Sequence, residues 1–278
     1  MRRLARVLAL TLPLCAGAAL AQGFDHSHAA WSALLKKHVV LISKERASQL
    51  DYAGMAKDHA ALEAYLKVLS GVPQAEFARW SKAQRMAFLI NAYNAFTIEK
   101  ILTRYPDIGS IWDFGKIFGN PFKDEFFSLF GRPFTLDGIE HGMLRKPGAY
   151  DEPRVHFAVN CASIGCPMLR EEAYVASRLD AQLEQQTARF LADRSRNRYD
   201  AAQGELAVSK IFDWFKEDWR SGYRGFEGRA PPITSRAAYF GRYAALLADA
   251  PADQARIREG KLPLTFLEYD WRLNDVKR

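Results

Sequence analysis

The sequence predicts an α+β fold, a mostly helical single domain packed around a small β-sheet. Three observations lead there. Apolar residues recur at helical spacing in several long segments, alternating runs are few and short, and no Pro/Ser/Gly-rich linker, low-complexity tract or internal repeat divides the chain. With 49% hydrophobic residues in 278, such a chain can bury a core of its own.

Taken in order, Trp31, Leu34, Leu35, His38, Val39 and Ile42 share one face of a first helix, and residues 60–69 repeat the pattern more briefly. The clearest helix is SKAQRMAFLINAYNAFTIEKILTRYP, opened by a capping box of Ser81 and Gln84 and stopped at Pro106. From Ile108 to Pro133 the pattern breaks into glycines, prolines and aromatics, which predicts loops and short strands with the rings in the core. Asp137 caps a short helix, DGIEHGMLR, with Glu140 three residues on. RVHFAVN (154–160) alternates as a strand does. A long helix follows from about Ser177 to Ala192, with Leu179, Leu183, Phe190 and Leu191 facing inward. GELAVS reads as a strand, KIFDWFKEDW and ITSRAAYFGRYAALLADA as helices, and LPLTFLEYDWRLND as ending in a strand.

The first residues, MRRLARVLALTLPLCAGAALAQ, place Arg2, Arg3 and Arg6 before a short apolar run that ends in Ala19-Leu20-Ala21. That is the pattern of a secretory signal over residues 1–21, leaving one globular domain over 22–278 in the periplasm or outside the cell. Pro13 and Gly17 interrupt the run too early for a membrane span, and no later segment is long and apolar enough, so none is expected after cleavage. Removing those three arginines leaves 36 basic against 32 acidic residues, a net charge of +4. The basic residues are interleaved with acidic ones, and the densest cluster, Arg194 to Arg198, reads as a solvated loop, so a nucleic-acid partner is not expected.

Chemistry concentrates between Glu140 and Cys166. Only Cys161 and Cys166 follow the signal, within VHFAVNCASIGCP. If 154–160 is a strand, Val155, Phe157, Val159 and Cys161 face an apolar side, and His156 and Asn160 face the other; Cys161 then reads as a small buried hydrophobe. Cys166 lies beyond, in a Ser-Ile-Gly-Cys-Pro turn, where the start of a helical turn at Pro167 would lower its pKa and make it the nucleophile. His141 or His156 would be its base, with Glu140, Asn160 or Asn91 to orient the ring. The other four histidines, at 26, 28, 38 and 59, read as surface or packing residues.

Two other chemistries share these residues. His141, His156, Cys161 and Cys166 have donors suited to zinc, but the spacing lacks both C-x2-C and H-E-x-x-H, so neither a metal nor a cofactor is expected. A Cys161–Cys166 disulfide is permitted in an oxidising compartment, and it excludes the nucleophile unless the bond is itself redox-active. Asn91 and Asn94, three apart on an otherwise apolar helix, need buried partners: either a network that fastens a loop, or a histidine or oxyanion.

FLINAYNAFTI, LDGIEHGMLR, RVHFAVNCASIGCPML, SKIFDWF and EYDWRLND, in that order from about residue 31 to 274, resemble the family catalogued as domain of unknown function 547. The resemblance aligns Asn91, Asn94, His141, His156 and Cys166-Pro167 with the family's pattern. Gly165 stands where many relatives look to have serine. It implies an exported or membrane-associated bacterial group and no settled reaction. The expectation is therefore a thiol-dependent hydrolase or acyltransferase acting on an amide or ester of a small molecule, peptide or cell-envelope component. The alternative is a non-catalytic binding or assembly module built on the same Cys/His/Asn network.

Overall fold

The computed structural model describes residues 23–115, 119–224, 226, 228 and 232–276. The expected signal segment and Phe118 lie outside them. The chain begins with α1 (Ala29–His38), the hairpin β1 (Val39–Ile42) and β2 (Ala47–Leu50), and helices α2 (Tyr52–Lys57), α3 (His59–Ser70), α4 (Gln74–Arg79) and α5 (Lys82–Leu102). A second hairpin, β3 (Phe127–Leu129) and β4 (Arg132–Phe134), leads into α6 (Leu136–Ile139). After a long irregular stretch come α7 (Leu179–Leu191), β5 (Arg198–Asp200), β6 (Glu205–Ser209), α8 (Ile211–Trp214), α9 (Arg236–Arg242), α10 (Ala244–Leu247), α11 (Pro251–Glu259) and β7 (Leu264–Leu267).

Helix dominates, as expected, but among the described residues the strands form three small sheets rather than one. β1–β2 and β3–β4 are isolated antiparallel hairpins, and β6 pairs antiparallel with β5 and parallel with β7. The first helix stops at His38 because the β-branched run Val39-Val40 continues as a strand paired with Leu50 and Gln49.

At the centre lies α5. Its capping box is formed as predicted, and every residue from Met86 to Ile98 is buried, the signature of a helix enclosed on all sides. Two cores result. One surrounds α5 with Trp31, Leu62, Leu136 and Val155; the other gathers Phe157, Phe190, Phe212, Trp219 and Tyr239.

The expected strand at 154–160 is absent. Residues Pro153–Phe157 form a 3-10 turn, with Pro153 in its first turn and the Glu152 carboxylate accepting the Arg154 N–H. Everything from Glu152 to Asn160 is buried, Val155 in the first core and Phe157 in the second, so the apparent alternation reflected contact with two cores rather than two faces of a sheet. No helix starts at Pro167 either; the next helical turn begins at Ala176. Thr135, not Asp137, caps α6, its hydroxyl accepting the Gly138 N–H, and a π-helical turn carries Glu140–Leu144.

Candidate functional site: a thiol cleft between the two cores

Three segments meet where the cores adjoin. The stretch 158–167 is threaded between α5 and the closing segment of the chain, and each of its bends is held by a buried carboxamide. Asn94 donates to the Ala158 carbonyl at 2.9 Å and accepts the Asn160 N–H at 2.8 Å. Asn160 donates to the Pro167 carbonyl at 2.8 Å and accepts the Ala162 N–H at 3.0 Å. One turn earlier on α5, Asn91 makes the same two-way clasp on the backbone of Tyr174, at 2.8 and 3.0 Å. Among the described residues all three amides bond to main chain, apart from one bond from Asn274 to Asn160, and none bonds a histidine. The fastening network anticipated for Asn91 and Asn94 accounts for them.

The loop that joins the two cysteines is stitched to the end of the chain. Ile164 N–H donates to Arg272 O, Gly165 N–H to Asp270 O and Asn274 N–H to Ala162 O, at 2.8 to 3.1 Å. Gly165 is required here: a Cβ would stand 2.9 Å from Asp270 N and 3.0 Å from Asp270 O. Ala162 takes a left-handed φ of 62°, a strained conformation for a residue with a side chain.

Cys161, Cys166, Glu140, His141 and His156 all line one cleft of about 140 Å³, together with Tyr93, Asp137 and Tyr269. Phe122, Trp214 and Trp271 wall its mouth, with Trp214 45% exposed. The two sulfurs differ in the opposite sense from that read off the sequence. Cys161 is half-buried, whereas Cys166 is only 5% exposed. Both are free thiols.

Cys161 Sγ lies 3.1 Å from Ser163 Oγ and 3.2 Å from the Tyr269 hydroxyl. Burial works against its ionisation, but hydrogen bonds from Cys166, Ser163 and Tyr269 outweigh it and hold the Cys161 pKa below the ordinary thiol value. Cys166 accepts the Cys161 N–H at 2.9 Å. Burial, then the hydrogen bond to Cys161 and that thiolate's charge, push the Cys166 pKa well up. The expectation that Cys166 is the activated thiol therefore meets a physical objection, since the helix start meant to activate it does not exist.

His156 stacks on Phe215 with ring centroids 4.0 Å apart, and its Nε2–H donates to Asp218 at 2.7 Å. Arg145 grips the same carboxylate through Nε and Nη2 at 2.6 and 3.0 Å. Asp218 thus stays ionised despite burial, held down by His156 and Arg145. Burial outweighs the pull of Asp218 and Glu140 and lowers the His156 pKa, so the ring is neutral at pH 7 with the lone pair on Nδ1. His141 accepts from Arg145 at Nδ1, and Asp137 lies 3.8 Å from its Nε2.

Glu140 lines the cleft with the buried Tyr93, whose pKa is pushed well up by burial and by Glu140, and its charge acts on Cys161 and His156. Among the described residues no hydrogen bond joins either histidine to either sulfur, and no three His, Cys, Asp or Glu side chains converge as a metal-binding set. Sequence reasoning did not single out Asp218, Arg145, Ser163, Tyr93 or Tyr269. Tyr269 and Asp218 sit in or beside the aromatic segments EYDWRLND and KIFDWFKEDW, but nothing in either segment distinguishes a site residue from a core one.

A family model described as "Protein of unknown function, DUF547" matches residues 77–191. That span includes both asparagines of α5, Glu140, both cleft histidines and both cysteines, and stops short of Asp218 and Tyr269. No curated protein and no solved structure matches the chain.

Proposed function

From the membership of residues 77–191 in the DUF547 family, which names no reaction, we propose a thiol-dependent enzyme that attacks an amide or ester carbonyl. We assign the nucleophile to Cys161 and the supporting role to Cys166. One observation carries this: the half-buried Cys161 lines the cleft with the Ser163 and Tyr269 hydroxyls 3.1 and 3.2 Å from its sulfur, whereas Cys166 is 5% exposed. In the reaction Cys161 Sγ bonds to the carbonyl carbon, the leaving amine or alcohol departs with a proton, and water or an acceptor then breaks the thioester. Glu140 and the neutral His156, oriented by Asp218, are the groups suited to carry that proton. The sequence of residues 1–21 supports a periplasmic or secreted setting, with a small molecule, peptide or cell-envelope component as substrate.

The test is intact-mass analysis of the native protein after a chromogenic activated ester and, separately, an alkylating agent. Acyl and alkyl adducts confined to Cys161, and lost in C161S, are expected. Two sulfurs that stay silent until the protein is denatured would overturn the proposal. They would leave the second reading, a non-catalytic module, which the backbone-directed bonds of Asn91, Asn94 and Asn160 favour.

A further inference from the structure

Cys166 has no part in acyl transfer beyond polarising its neighbour, yet its sulfur lies 2.9 Å from the Cys161 backbone N. We propose that Cys161 and Cys166 form a dithiol–disulfide couple that exchanges with an accessible organic disulfide entering the aromatic mouth of the cleft. The inference rests on the same accessible Cys161 as the acyl-transfer reading but not on that reaction.

Three features carry it. First, the chain between the cysteines folds back on itself: Cys166 N–H donates to Ser163 O at 3.1 Å, and Cys161 N–H donates to Cys166 Sγ at 2.9 Å. With Cys166 Sγ 2.9 Å from the Cys161 backbone N, an S–S bond can be reached by rotation of the two side chains. Second, the two cysteines are unequally accessible. Both line the cleft, but the half-buried Cys161 is the more exposed and meets the incoming disulfide, while Cys166, 5% exposed, is placed to resolve what Cys161 has bound. Third, the loop is held by the bonds from Ile164, Gly165 and Asn274 whether or not the sulfurs are joined. The Tyr269 and Ser163 hydroxyls, 3.2 and 3.1 Å from Cys161 Sγ, favour the thiolate that makes the first attack.

The steps balance as follows. The Cys161 thiolate attacks one sulfur of R–S–S–R′, forming a mixed disulfide with R and expelling R′–S⁻. Cys166 gives its proton to a departing thiolate and attacks the Cys161 sulfur. That closes Cys161–S–S–Cys166 and releases R–S⁻. The protein loses two electrons and the organic disulfide gains them.

The test uses the reduced full chain with one equivalent of dithiobis(nitrobenzoate), and in a second arm oxidised glutathione. The proposal expects two thiolates released per protein, and a product two hydrogens lighter with no adduct. C166S should stop at a mixed disulfide on Cys161 with one thiolate released, and C166A repeats the reading if serine perturbs the turn. Wild-type protein that keeps a stable mixed adduct, carries adducts on both sulfurs, or reacts only when unfolded would overturn it. An ester adduct on Cys161 without disulfide closure upholds acyl transfer alone; closure without an ester adduct upholds exchange alone.

Discussion

Replacing Tyr269 by phenylalanine removes one hydroxyl, 3.2 Å from Cys161 Sγ, and leaves the ring that packs on Trp214 and Trp271 at 4.9 and 4.5 Å. A hydrogen bond to a charged acceptor contributes about 1.5–3 kcal/mol. Losing the lower figure shifts the balance between thiolate and thiol about tenfold toward thiol at any fixed pH. The rate of Cys161 alkylation followed against pH reads this directly. The curve of Y269F should move to higher pH, with neutral-pH reactivity about tenfold lower, while the plateau rate at high pH stays near wild type because access is unchanged. A smaller displacement is expected for S163A, whose hydroxyl stands 3.1 Å from the sulfur. A Y269F curve that overlays wild type, in a protein with unchanged near-ultraviolet dichroism, would refute the claim that this side chain sets the ionisation of Cys161.

Three other outcomes test the framework around the site. Arg154 is buried between Glu152, Asp180 and Glu184, so Arg154→Met leaves the buried Glu152 carboxylate without its cation, bonded by the Tyr223 hydroxyl and the residue-154 N–H, and urea unfolding should register a loss of about 3–5 kcal/mol, partly restored by adding E152Q. Gly165→Ala forces a Cβ to 2.9 Å from Asp270 N, and should cost about 1–3 kcal/mol in the same assay while slowing Cys161 alkylation through displacement of Tyr269. His28 is buried with Nδ1 bonded to Tyr65 at 2.7 Å, and burial lowers its pKa to about 4. Because the unfolded ring protonates near pH 6.5 and the folded ring resists, its stabilising effect is complete above pH 6.5 and is lost as pH falls toward about 4. Over that range the loss is on the order of 3 kcal/mol, and H28N, whose side chain tolerates the left-handed φ of residue 28, should show a correspondingly shallower acid limb.

The helices were legible because their signals are local. The capping box of α5 and the inward Leu179, Leu183, Phe190 and Leu191 of α7 depend on spacing alone, and both appear in the structure. The 154–160 segment misled because burial on every side imitates alternation when two cores lie at different angles to one chain. KIFDWFKEDW has the composition of one helix, but only Ile211–Trp214 and Asp218–Arg220 are helical, and Phe215, in the break between them, stacks on His156. The basic cluster at 194–198 was expected to be solvated; Arg196 instead reaches the Cys166 carbonyl and Asp193. Glu140, His141, His156 and the cysteines could be grouped from sequence because they are close along the chain. Which sulfur has hydroxyls beside it could not, because that depends on Ser163 and on Tyr269, more than a hundred residues away.

The stitch between 162–165 and 270–274 also sets an order of events. A nascent polypeptide carries both cysteines long before the residues that surround them have been made. Until the segment containing Tyr269 has emerged and docked, Cys161 lacks one of the donors that favour its thiolate, and its titration should lie closer to that of a free thiol. The surroundings of Cys161 are thus completed late, when the rest of the molecule is already in place.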